Sequence, residues 1–194
     1  MRWRLLGLTA LALGGVVAAQ DASREAAVDT VVALGIELAA VLESGAEGLD
    51  AATRDRLVPG IAAWVTSLRD DALEQGAEQI PHAIRDALGE HVPHAVLDKV
   101  RWRIDGDSGF AGQSLLQLGG VRAVTLDTVI VFADAHEAAD TTLWAHELYH
   151  VMQYAQWGVD GFVDRYLADR HSVEHEAWEF RWAWMKATGR VPPA

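Results

Sequence analysis

Residues 143–158 read LWAHELYHVMQYAQWG, and within them His146, Glu147 and His150 form an HExxH string. On an α-helix, residues four apart lie on one face about a turn from each other. Two imidazoles at this spacing can therefore reach one ion, with the intervening glutamate at its flank. With 8 histidines in 194 residues, composition alone yields roughly 0.02 such strings, so chance is a poor account of it. The setting favours a helix: the segment has no proline, Asp140-Thr141-Thr142 offers an N-cap, and Gly158 stands where a helix stop is expected. Leu143, Trp144, Leu148, Val151 and Met152 supply the apolar contacts of a buried helix. The competing reading is a pair of surface histidines on an ordinary amphipathic helix.

A catalytic zinc commonly takes three protein ligands and leaves a fourth position to water, so a third donor is expected elsewhere in the chain. Position 156 is Gln and position 160 is Asp, which excludes the HExxHxxGxxH arrangement and makes a carboxylate the expected choice. Residues 170–180, RHSVEHEAWEF, read as a helix after a short connecting stretch, with Ser172 as its cap. Glu174 is the expected ligand and Glu176 its rival. The two lie about 200° apart around a helix, so both cannot face one ion unless the helix is distorted. His171 and His175 repeat the i, i+4 spacing without a glutamate in the motif position and read as flanking residues. Two imidazoles and one carboxylate suit Zn2+ best. Such an ion lowers the pKa of bound water toward about 7, and Glu147 is the catalytic candidate that takes its proton.

TLWAHELYHVMQYAQWGVDGF, preceded by VTLDTVIVF and followed by VEHEAWEF, resembles an uncharacterised bacterial family with an HELTHVxQ signature. That family is related to the core domain of extracellular contractile injection systems. The likeness covers roughly residues 101–180. It implies a gluzincin-type zinc metallopeptidase with a zincin-like fold, in which His146 and His150 are ligands, Glu147 is the base, and Glu174, in an ExEA segment, is the third ligand. One departure stands out: related gluzincins often carry an acid four residues after the ligand glutamate, where this chain has Trp178. The usual hydrogen bond to a ligand histidine then has to come from Asp164, Asp169 or Glu179, or is missing. Tyr166, Arg165, Arg170, His171 and His175 are within chain reach as a second oxyanion donor, with Tyr166 preferred because a phenol donates without adding charge. Tyr149, beside His150, is expected to point away from the metal.

Upstream, Ala123–Leu126 and Val129–Phe132 are β-branched runs separated by Asp127-Thr128, the pattern of a hairpin. Its edge is a candidate surface for an extended peptide. Helical signal runs over 23–43, over 51–73 with Pro59-Gly60 as punctuation, over 81–88 and over 93–99, with a strand at 100–104 and a glycine-rich loop at 105–120. The expected class is α+β, mostly α, with a small β-hairpin or sheet beside the HExxH helix. Residues 20–99 read as an N-terminal helical region and 100–194 as the metal-binding region, the two forming one continuous domain.

Residues 1–19 read as a secretory signal peptide: a basic MRWR start, an apolar run from Leu5 to Val17, and small residues before a cut after Ala19. Export to a periplasmic or extracellular location follows, with no membrane attachment after cleavage. The chain has no cysteine, so neither disulfides nor a lipidated cysteine can hold it, and stability falls to core packing and metal. A formal net charge of −12 disfavours nucleic acid and anionic membranes as partners. The expected partner is a peptide or protein substrate of a secreted zinc metallopeptidase. The alternative is a catalytically silent, zinc-stabilised binding or structural module of a secretion or surface assembly.

Overall fold

The computed structural model describes residues 48–105 and 122–190, which fall within one compact unit, Glu47–Ala194. The expected signal peptide, the helix at 23–43 and all but the first residue of the 105–120 loop lie outside the described residues.

Helix α1 spans Ala51–Glu74. Asp50 caps it, accepting from the Thr53 N–H at 3.0 Å and the Thr53 hydroxyl at 2.8 Å, which satisfies an otherwise orphan donor of the first turn. Pro59-Gly60 does not break this helix. An interior proline forfeits a backbone hydrogen bond and costs about 3 kcal/mol, but Pro59 is on the exposed side and a buried face of Ile61, Trp64, Val65 and Leu68 begins just beyond it. Burying each of the large aliphatic side chains contributes about 1.5–3 kcal/mol, so packing outweighs the local penalty. Ahead of α1, the Leu49 N–H donates to the Leu167 carbonyl at 2.8 Å. Gly48 adopts φ +55°, and a Cβ there would collide with the Ala168 carbonyl oxygen, so both backbone angle and space require glycine.

Four strands, β1 (Glu78–Gln79), β2 (Arg101–Ile104), β3 (Ala123–Leu126) and β4 (Val129–Phe132), form one sheet in the order β1-β2-β4-β3. β3 and β4 are the hairpin the sequence predicts, with Thr125 opposite Ile130 and Asp127 in the turn at φ 55°. Arg69 of α1 holds that turn through an ion pair to Asp127 at 2.7 Å. β4 is central, antiparallel to β3 and parallel to β2. Its four residues are all fully buried, which is why the run VIVF shows no polar alternation. Between β1 and β2, helices α2 (His82–Leu88) and α3 (His94–Leu97) carry Ile84, Leu88 and Leu97 into the same core.

After the sheet come α4 (Ala135–Ala139), α5 (Thr141–Ala168) and α6 (Arg170–Ala187). Trp144, Leu148 and Val151 of α5 are buried in the core; Trp144 packs on Phe132 at a centroid distance of 4.6 Å and donates its indole N–H to the Ala138 carbonyl at 2.8 Å. Gly158, expected to end α5, does interrupt it with φ 72° and ψ 171°, yet helical backbone resumes at once and continues to Ala168. The result is α+β and mostly helical, with a small sheet beside the HExxH helix. Among the described residues no helix is long and apolar enough to cross a membrane.

Asp140 caps α5, accepting from the Thr142 N–H at 2.9 Å, the Thr142 hydroxyl at 2.7 Å and Arg122 at 2.8 Å. Partial burial opposes its charge, but these hydrogen bonds prevail and lower its pKa from 3.8 to about 2. A carboxyl whose folded value is depressed stabilises the fold above its unfolded pKa and loses that contribution as the pH falls through the folded value. Asp140→Ala is therefore expected to cost about 1 kcal/mol at neutral pH, and to flatten the fall in stability between about pH 4 and pH 2. Urea unfolding across that range checks both.

Candidate metal centre

On α5, the positions of His146, His150 and Gln153 lie roughly opposite those of Trp144, Leu148 and Val151, so one side of the helix is committed to the core and the other is free to build a site. Helix α6 covers that second side. Two turns bring it there, one at Gly158 within α5 and one at Asp169, whose N–H donates to the Arg165 carbonyl at 2.8 Å and whose carboxylate accepts from the Ser172 N–H at 3.0 Å. Ser172, expected as the cap, instead donates its hydroxyl to Asp169, the actual cap. The expected short connecting stretch is itself helical and folds back at Gly158, where φ is 72°, so that Phe162 stacks on Tyr154 at 3.8 Å and lies 5.9 Å from His150; Asp169 makes a second turn.

His146, His150 and Glu174 converge. The two Nε2 atoms are 3.1 Å apart, and Glu174 Oε2 lies 3.3 Å from His146 Nε2 and 3.6 Å from His150 Nε2. A tetrahedral ion with bonds of about 2.0–2.1 Å holds its donor atoms about 3.3–3.4 Å apart, and the three edges bracket that spacing. Among the described residues, this is a group that could hold a metal ion. Burial works against a protonated His150, but its hydrogen bond to Glu174 and the charges of Glu147 and Glu174 raise its pKa. Burial likewise pushes Glu174 upward, and the bonds to His146 and His150 overcome it, holding the carboxyl below the usual range. A cation bound at that point would compete with any proton held there.

The second oxygen of Glu174 is already engaged. Tyr166, the preferred oxyanion donor, directs its hydroxyl to Glu174 Oε1 at 3.0 Å, which leaves Oε2 to the histidines. Burial, reinforced by the Glu174 charge, raises the Tyr166 pKa, so the phenol stays a donor. Glu147 is buried beside the two histidines, and its Oε2 accepts from the Thr125 hydroxyl at 2.7 Å. Sequence reading missed Thr125; its signal was a polar residue between the apolar positions of a strand packed on the motif helix.

Gln153 was missed as well. It is 2% exposed and makes three hydrogen bonds: Oε1 with His150 Nδ1 at 2.8 Å, and Nε2 to the Val173 carbonyl at 3.1 Å and to Glu176 Oε2 at 2.9 Å. Glu176 is therefore directed to Gln153, outside the convergent group. The signal was present in HELYHVMQ, whose last residue matches the glutamine of the HELTHVxQ signature.

The remaining candidates fall away from the centre. His171 and His175 stack on each other at 5.9 Å on exposed turns of α6, with Glu179 3.4 Å from His175. Tyr149 packs against Phe180 at 5.2 Å. Trp178 sits edge-on to His146 at 6.1 Å, and His146 Nδ1 is buried with no hydrogen-bond partner among the described residues. None of the three acids considered as substitutes supplies that bond: Asp164 pairs with Arg54, Asp169 caps α6, and Glu179 lies by His175. The two histidines are thus supported differently, one by an amide and one by packing.

No curated protein and no solved structure matches the chain. Residues 79–158 match the family described as the eCIS core domain. That span runs from β1 to Gly158 and includes His146, Glu147 and His150, while Gln153's partners on α6 and Glu174 lie beyond it. This part of the chain is accordingly similar to the core domain of extracellular contractile injection systems.

Proposed function

We propose that this chain is a zinc-dependent peptidase. The observation that carries the reading is the convergence of His146, His150 and Glu174 at tetrahedral ligand spacing with Glu147 buried alongside. When bound there, zinc would make water acidic near neutral pH and polarise a scissile carbonyl. Glu147 accepts a proton from the attacking water and passes it to the leaving amine. The Thr125 hydroxyl, bonded to Glu147 Oε2, orients that carboxylate and leaves Oε1 for the proton. Among the described residues β3 ends the sheet, and it carries Thr125, so an extended peptide adding to that edge would run past Glu147. Residues 1–19 would export the protein before it acts. A zinc-loaded sample incubated with a peptide library is expected to cut amide bonds, to stop on chelation and to recover with zinc, read by mass spectrometry.

The match to the eCIS core domain favours a second reading, a zinc-stabilised module of a secretion or surface assembly without turnover. It predicts a melting temperature that rises with zinc and no cleavage of any library member.

A further inference from the structure

We propose that Gln153 and Glu176 are positioning residues that together fix His150 in the tautomer able to bind a metal. The inference rests on the metal-binding reading above and adds the reason His150 presents its Nε2 lone pair. A side-chain amide has an acceptor end and a donor end, and a flip exchanges them. The Gln153 donor end meets two groups that only accept at neutral pH, the Val173 carbonyl at 3.1 Å and the Glu176 carboxylate at 2.9 Å. The flip is thereby decided, and the carbonyl end must face His150 Nδ1, 2.8 Å away. Since a carbonyl oxygen can only accept, the single proton of the neutral imidazole resides on Nδ1.

His150 Nε2 then carries a lone pair directed at the same point as His146 Nε2 and Glu174 Oε2. With the amide flipped, the proton would move to Nε2, and a protonated nitrogen cannot ligate. Glu176 is the rival ligand of the sequence reading, and its contribution is to hold the amide in polarity. The same amide also grips the α6 backbone at Val173, the residue before Glu174. One side chain therefore sets both the tautomer of the second ligand and the placement of the third. His146 has no equivalent support, its Nδ1 being without a partner among the described residues.

The test uses the full chain and two readouts, zinc affinity by chelator competition and the ring-nitrogen NMR shifts of His150 in metal-free protein at a pH where the ring is neutral. Gln153→Leu is expected to weaken zinc 10–100-fold and to turn a single Nδ1–H tautomer into a mixture. Glu176→Ala alters an exposed side chain, so it carries the test where the buried substitution unfolds the chain; a tautomer mixture is expected. Unchanged affinity in Gln153→Leu, a single Nδ1–H tautomer retained in both variants, or an Nε2–H majority in the wild type would each overturn the proposal. Should the wild type hold no zinc, the peptidase reading fails by itself, and the NMR shifts still decide the part played by Gln153 and Glu176.

Discussion

Glu174→Ala is expected to abolish tight zinc binding and, with it, any hydrolysis. Among the described residues, Glu174 Oε2 is the carboxylate oxygen brought to both histidines, at 3.3 and 3.6 Å, and without it two imidazoles on a single helix remain. Losing even a hydrogen-bonding partner of a ligand costs about 10–100-fold in affinity, so losing the ligand itself should cost more. The alanine variant also strips the Tyr166 hydroxyl of its acceptor, which adds a stability loss of about 1–3 kcal/mol if the group finds no replacement. Glu174→Gln separates the two effects: its amide oxygen still accepts from Tyr166 while the anionic donor is gone. Chelator competition should therefore rank wild type far above both variants, whereas urea unfolding without zinc should penalise the alanine more than the glutamine. Zinc affinity equal to wild type in Glu174→Ala would remove α6 from the site.

Glu147→Gln should keep its zinc and lose turnover. The replacement is isosteric, and its amide oxygen can still accept from Thr125, which lies 2.7 Å from Glu147 Oε2, so the local packing survives. A carboxamide cannot accept the proton of the attacking water, and general acid–base assistance is worth about 100- to 10,000-fold. The measurement pairs peptide-cleavage rate with zinc content per chain in the same preparation. Full activity at full zinc content would eliminate the proposed role of Glu147; absence of turnover in the wild type as well would favour the silent module instead.

The motif was legible because its information is local. HExxH places two side chains on one helical face whatever the rest of the chain does, and the hairpin at β3 and β4 follows from two β-branched runs around a two-residue turn. A carboxylate as third donor was legible, since position 156 offers no histidine, but Glu174 and Glu176 stayed rivals until the fold brought Glu174 to the two histidines and Glu176 to Gln153. What escaped depends on pairs far apart in sequence. Gln153 meets Val173 and Glu176, Tyr166 meets Glu174, and Thr125 meets Glu147. No periodicity reports such meetings; they require knowing how the chain turns at Gly158 and again at Asp169. The helix over 51–73 was legible despite Pro59, whose local penalty is visible in sequence while the buried face that offsets it is created by packing. Gly158 signalled an interruption correctly, but a glycine does not say whether the helix starts again beyond it.

X-ray absorption at the zinc edge, on protein dialysed against zinc and then freed of loose metal, addresses the ligand set directly. The account predicts one zinc per chain, with two imidazole nitrogens and one carboxylate oxygen at about 2.0–2.2 Å, and loss of the carboxylate signal in Glu174→Ala. A chain that retains no zinc, or a bound ion whose shell lacks the two imidazoles, would contradict it.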